Sequence, residues 1–532
     1  MIARKAALST AHPLATKVGV NVLQQGGNAI DAAVAVAFTL AVVHPQAGNL
    51  GGGGFLVYYD AKSKGIWTLD FREVAPLAAK KEMFATESSL TGPLAAGVPG
   101  TVAGLEAMYK RFGSKPWKEL IAPSVSIARE GIRLDDEFVR DFTPELEKRK
   151  LDRYASTTII FAPEGKPLAA GTPLIQTDLA LTLERLATYG AKDFYDGELA
   201  KRIVEGSRNA GGVLGFRDLR DYQPVWRAPI RIRYGNYDVY TMAPPAAGGL
   251  VIGEALNILS GYDLAKSGFQ TTRSLHLLIE AQRRAYLDRN KYLSDPVNSR
   301  IPYREILSAE RAAQWRRTIT LDRVTPTVTL SEPNAMAVAE GEHTTHFTIA
   351  DAQGNVAAIT TTLGANFGSG FVVPGTGFFL NAAMDDFSAP GNKPNRHELV
   401  QGSVNAIEPG KRMASSMAPT IILRGGKPFL ALGTRGGPAI PNTILQVFLN
   451  VAVYNQSLQD AVAAPRWHHQ ALPDLIAYER GKAPQAALDA LSTMGHPVRA
   501  RDSIGDVHAL QFDGIRIIAV ADPRRGGAAG GY

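Results

Sequence analysis

The sequence predicts an α+β fold. Three observations carry this: helical patterns fill the first fifty residues and most of the stretch from roughly 100 to 310, alternation of period two takes over from Thr344, and 45% of the 532 residues are hydrophobic against 20% charged. A chain of that length and composition buries a large core without staples. There are no cysteines, so disulfides, thiolate metal sites and a cysteine nucleophile are excluded.

The first fifty residues read as two helices. Apolar positions recur at helical spacing from Leu14 to Gln25, Gly26 and Gly27 supply a left-handed stop, and Asn28 caps a second helix that ends before Pro45. That second helix is apolar on nearly every face and is expected to be buried. Its longest apolar run, Ala32 to Val43, falls short of the roughly 20 residues that cross a bilayer. Next comes GNLGGGGFLVYYD, in which Gly48 and Gly51 to Gly54 precede a strand at Phe55–Tyr59. The order helix, glycine loop, strand matches neither GxGxxG nor a P-loop, which disfavours a nucleotide-binding enzyme. Two readings remain for the glycines, tight packing of buried elements or direct contact with a ligand.

Between residues 100 and 310 the patterns are helical with Arg and Glu on outer faces, as from Leu275 to Tyr286. Ile230 to Met242 reads as strand, and PPAAGGLVIGEAL as a loop leading into a helix. Thr325 to Glu342 looks like an exposed connection. Lys and Arg exceed Asp and Glu by 7, but the basic residues are scattered without aromatic interleaving, so nucleic acid is not an expected partner. The N-terminal stretch MIARKAALSTAHPLAT lacks a signal-peptide apolar run. Either the protein is cytoplasmic or the chain starts after signal removal.

After the connection, Thr344 to Ala350 alternates, AQGN turns with Gly354, and Val356 to Leu363 runs back as a hairpin. A strand that begins abruptly at a threonine after an exposed segment suggests cleavage between His343 and Thr344. A new N-terminal threonine carries its own base, because an α-amine with a reference pKa of roughly 7.7 to 8.0 takes the hydroxyl proton. The plain alternative is that Thr344 and Thr345 are β-branched strand residues and His343 and His346 satisfied edge groups.

Taken together, NVLQQGGNAIDAAVAVAFTLAVVHPQAGNLGGGGF, LDFREVAP, TTHFTIAD, LNAAMDDFS, KRMASSMAPT, GTRGGP, PRWHHQ and the ending DPRRGGAAGGY resemble the γ-glutamyltranspeptidase family nearly end to end. The resemblance implies a four-layered αββα N-terminal nucleophile hydrolase sandwich, autoprocessed into a large subunit, residues 1–343, and a small one, residues 344–532, that remain one intertwined domain. It implies no cofactor and no metal, a small-molecule γ-glutamyl or acyl amide substrate, and a periplasmic or extracellular location.

By the same resemblance, Thr344 is the nucleophile in self-cleavage and in turnover, Thr362 hydrogen-bonds it, and Gly436 and Gly437 form the oxyanion pair. Arg72, Ser415 and Ser416 would hold the glutamyl α-carboxylate, and Asp386 the α-amino group. Two positions depart from the family pattern. Gly364 stands where an Asn is usual and Ala383 where a Gln or Glu is usual, and each change deletes hydrogen bonds to the amino-acid head. Such losses at a charged group cost on the order of 1.5 to 3 kcal/mol each, so a glutaryl amide, as used by acylases of the family, would tolerate them better than glutathione. Residues 389–408 occupy the place of a lid, with His397 in the position of an aromatic latch. His468 and His469 lack a third ligand at suitable spacing and are read as packing groups. A catalytically silent binding homologue is the remaining alternative.

Overall fold

Asn28 starts the buried second helix as its sequence suggests. Its side chain accepts from the Ile30 and Asp31 amides while Asp31 accepts from the Asn28 amide, closing a capping box. The helix, Ala29–Val43, is buried at every residue. Its predecessor, Pro13–Gln24, ends through Gly26 at φ 81°. The computed structural model describes residues 1–330, 344–388, 395–396, 398 and 401–532.

Two seven-stranded sheets lie at the centre of the described residues. One runs in the order Ala528–Gly531, Ala7–Thr10, Thr344–Ala350, Val356–Thr362, Gly53–Asp60, Gly65–Phe71, Val225–Arg227. The other runs Ile2–Ala3, Ile517–Ala521, Asp506–Phe512, Lys427–Arg435, Thr420–Arg424, Tyr237–Thr241, Ile230–Tyr234. Each sheet mixes strands from before and after Thr344. Phe347, Ile349, Leu56 and Leu69 pack outward into a core shared with the helix Ala29–Val43. Phe55, Val57, Val356 and Ala358 join Ile421, Leu430 and Leu432 and the helices Gly248–Leu259 and Ala439–Ala452 in the other. The result is helix, sheet, sheet, helix, the αββα layering that the resemblance implied.

Close approach, not a ligand, accounts for the glycine loop. A Cβ on Gly52 would stand 2.1 Å from the Thr362 carbonyl oxygen, and one on Gly54 2.3 Å from that of Thr360. These glycines let the strand Gly53–Asp60 lie flush along Val356–Thr362, with Gly53 opposite Thr362.

Three expectations change. Ile230 to Met242 is two strands, Ile230–Tyr234 and Tyr237–Thr241, joined by a turn with Gly235 at φ 57°. The helix read from Leu275 to Tyr286 runs Thr272–Tyr292, and its Glu280, Arg283 and Arg284 are buried rather than on an outer face. Arg283 and Arg284 each pair with Glu280, and Arg284 also reaches Thr318 and Thr325. Burial is tolerable there because charges and donors are mutually satisfied. Thr325, the first residue of the connection read as exposed, is buried with its hydroxyl donated to Glu280. Residues 331–343, including His343, lie outside the described residues. Among the described residues no helix is long and apolar enough to cross a membrane.

Candidate active site

The polar start of the strand Thr344–Ala350 follows from the two faces it presents. Phe347 and Ile349 face the helices. On the opposite face Thr344, His346 and Thr348 form a polar row between the sheets. His346 bonds Thr360 Oγ1 through Nδ1 and Thr348 Oγ1 through Nε2, both at 2.8 Å, and its ring lies where a Cβ on Gly433 would stand. Burial first, then His508, push its pKa well below the usual histidine value. Both ring nitrogens are engaged, and the imidazole packs between the sheets.

Thr344 heads the row. It pairs in register with Thr362 on the returning strand, its Oγ1 donating to Thr362 Oγ1 at 3.4 Å, and both residues are buried. Thr362 Oγ1 also accepts from the Gly364 amide at 2.9 Å, which fixes the oxygen that faces the Thr344 hydroxyl. Thr344 and Thr362 line one cavity together with Arg72, Asp386, Gly364, Ser415, Ser416 and Gly437. Seven of the eight residues assigned from sequence thus line one cavity, and Gly436 is one residue behind its wall.

Gly436 and Gly437 follow the strand Lys427–Arg435 at φ 130° and 50°, and lead into the helix Ala439–Ala452. Among the described residues neither of their amides donates to a protein acceptor. Two unspent N–H groups at the start of a 14-residue helix, beside a hydroxyl, suit a developing negative charge. Ser415 is tied to a loop of the other half of the chain, its amide to Pro245 O and its carbonyl from the Ala247 amide.

Arg72 is fully buried and binds Glu73 through Nη1 at 2.9 Å and Asp386 through Nη2. Burial pulls its pKa down, but Glu73 and then Asp386 carry it above the usual value. Glu73 is itself held above the usual carboxylate range by burial. Ala383 is buried, with its amide bonded to Asn381, and Gly364 takes φ 87°. A Cβ on Gly364 would meet the Ala382 carbonyl carbon at 2.9 Å and the Ala383 amide at 3.1 Å.

Sequence reasoning missed Arg289, Arg396 and Gln401, which also line the cavity. Arg289 sits on a helix read as having its charges outside, and Arg396 in the segment read as a lid, where a charge passes for a solvated one. His397, read there as a latch, lies outside the described residues. His468 and His469 are buried. Asn442 donates to His468 Nδ1 at 2.7 Å and His468 Nε2 donates to Gln470, while burial pushes the His468 pKa down to about 3. Elsewhere His276, Glu280 and His496 stand close enough to share an ion, but the Glu280 carboxylate is already engaged by two arginines.

A family model described as gamma-glutamyltranspeptidase matches residues 15–532. The glutathione hydrolase proenzyme of Escherichia coli (strain K12) is 38% identical over 531 residues, covering 98% of this chain and 91% of that protein. The glutathione hydrolase proenzyme of Pseudomonas sp. (strain A14) is 41% identical over 475 residues, covering 87% and 81%. Among solved structures, the cephalosporin acylase from Bacillus halodurans superposes with a TM-score of 0.89 at 28% identity, covering 100% of this chain and 96% of that one.

Proposed function

The chain belongs to the γ-glutamyltranspeptidase family, and from that premise we propose that it is an autoprocessed threonine amidohydrolase and acyltransferase acting on γ-glutamyl amides, glutathione among them. The single observation that carries this reading is the convergence of Thr344, Thr362, Gly437 and Arg72 on one cavity.

Maturation comes first. The Thr344 hydroxyl attacks the carbonyl carbon of residue 343, the acyl group moves from nitrogen to oxygen, and water hydrolyses the ester. That leaves residues 1–343 as one chain and residues 344–532 as another, held together by sheets to which both contribute strands. The freed α-amine of Thr344 then takes the proton of its own hydroxyl as the oxygen attacks the substrate amide. Negative charge develops on the carbonyl oxygen, where the Gly436 and Gly437 amides donate; a donor of this kind is worth roughly 3 to 4 kcal/mol. The amine leaves with the proton, and the acyl group stays on Thr344 as an ester until water or an acceptor amine takes it. Thr362 holds the hydroxyl at the attack position. Arg72, Ser415 and Ser416 anchor the acyl carboxylate, a task suited to a guanidinium fork.

Purified protein incubated with γ-glutamyl-p-nitroanilide, with and without glycylglycine as acceptor, tests the reading. Release of p-nitroaniline by the two-chain protein and its loss in Thr344→Ala are expected. Release by Thr344→Ala at the wild-type rate refutes it.

A further inference from the structure

An ammonium entering this cavity finds its carboxylate taken. Arg396 donates from Nη2 to Asp386 Oδ1 at 2.8 Å and to the Gly364 carbonyl at 2.6 Å, and from Nη1 to Asp385 Oδ2 at 2.7 Å. Arg72 holds the other oxygen of Asp386. Of the two positions that depart from the family pattern, Gly364 gives this guanidinium its carbonyl, and Ala383 lies two and three residues before the acidic pair that the guanidinium also binds.

The rest of the wall points the same way. Among the described residues, the ionisable ones lining the cavity are Arg72, Arg289 and Arg396 against Asp386 alone. Arg289 is 2% exposed and makes no ion pair among the described residues; its hydrogen bonds go to the neutral side chains of Asn290 and Gln401. Burial lowers it to about 10, and its interactions with Tyr286 and Asp386 offset that only in part. Each of the three arginines also keeps a buried Nε–H with no acceptor among the described residues. Buried donors of this kind call for acceptor oxygens, and a carboxylate supplies them where an ammonium adds only more donors.

We propose that Arg396 is a specificity-determining residue that stands in place of a substrate's α-ammonium, so that the cavity takes ω-carboxyacyl amides of the glutaryl type in preference to γ-glutamyl amides. This rests on the Thr344 acyl-enzyme chemistry above and narrows its acyl group. The terminal carboxylate meets Arg72, Ser415 and Ser416 as a glutamyl carboxylate would, and nothing on the chain has to displace Arg396 from Asp386.

The ratio of kcat/KM for glutaryl-p-nitroanilide to that for γ-glutamyl-p-nitroanilide tests it, measured on the mature wild type, Arg396→Met and Arg396→Lys. The wild type is expected to favour the glutaryl compound by about tenfold or more, the scale of one hydrogen bond to a charged group, and Arg396→Met to move the ratio at least that far towards the γ-glutamyl compound. Arg396→Lys, which keeps the charge and loses the fork, should fall between. Inhibition of the wild type supplies a readout that needs no variant: glutarate should compete more tightly than L-glutamate by a similar factor. A wild type that favours the γ-glutamyl compound, an unmoved ratio in matured Arg396→Met, or tighter inhibition by L-glutamate overturns the proposal while leaving the amidase reading intact. Cleavage of neither amide by the wild type overturns both.

Discussion

Thr344 Oγ1 lies 3.4 Å from Thr362 Oγ1 across two strands in register, and the Thr362 oxygen is held in turn by the Gly364 amide at 2.9 Å. A long contact of this kind orients a hydroxyl without consuming its lone pairs. The position of the proposed nucleophile is therefore set by the sheet, through a partner that is itself anchored to backbone.

Thr362→Val keeps the shape and removes the oxygen. With a neutral hydrogen bond worth about 0.5 to 1.5 kcal/mol, kcat for γ-glutamyl-p-nitroanilide should fall by up to about tenfold with KM nearly unchanged, and Thr362→Ser should restore most of it. Equal loss in the serine variant would mean that the methyl, not the hydroxyl, does the positioning.

Gly436→Ala separates backbone orientation from space. A Cβ there meets nothing closer than 3.4 Å, yet φ is 130°, a region that alanine avoids. Turning the peptide plane to relieve that strain would misdirect the neighbouring amides. The expected result is a fall in kcat on the order of 100-fold, as for loss of an oxyanion donor, with substrate inhibition constants unchanged. An unaltered kcat would remove Gly436 from the hole.

Restoring the family's side chain at position 364 should not restore its function. In Gly364→Asn the new Cβ presses on the Ala382 and Ala383 backbone, which costs on the order of 1 to 3 kcal/mol. A lower melting temperature with no gain in γ-glutamyl turnover is expected. Improved turnover at an unchanged melting temperature would show that the loop yields more easily than its contacts suggest.

Acid stability reports the buried histidines. Burial pushes His468 and His496 down to about 3, and His44 and His346 also lie well below the usual value, chiefly through burial. An unfolded chain protonates them near 6.5, so below that pH the unfolded state binds protons that the folded state refuses, and stability falls as pH drops from about 6.5 towards 3. Each histidine contributes a slope of up to about 1.4 kcal/mol per pH unit. Glu280, held at about 2 against burial by Arg283 and Arg284, contributes stability that is lost as pH falls from about 4.5 to about 2. Unfolding midpoints measured from about pH 6.5 to 4.5 should therefore decline, and less steeply in His468→Gln. A flat profile would mean that these rings are protonated in the fold.

The residues legible in the sequence are those whose signal is local. The cap at Asn28 and the alternation of Thr344 to Ala350 before the turn at Gly354 are short-range signals, so helix and hairpin were recognisable within a residue or two. What escaped depends on distant partners. Glu280, Arg283 and Arg284 carry the spacing of a solvated helix face, and only the return of Thr318 and Thr325 makes their burial tolerable. The glycines at 51 to 54 read as packing before ligand contact, and their neighbours, the Thr360 and Thr362 carbonyls, supply the reason. Arg396 belongs to the same class, since its meaning comes from Asp385 and Asp386 folding over to meet it.

The proposed catalysis turns on an amine that exists only once the backbone has opened before Thr344. Intact-mass and N-terminal analysis of the purified, active protein tests this directly. Two chains are expected, the second beginning at Thr344, with Thr344→Ala remaining a single inactive chain. Full amidase activity in material whose Thr344 is still joined to residue 343 would contradict it.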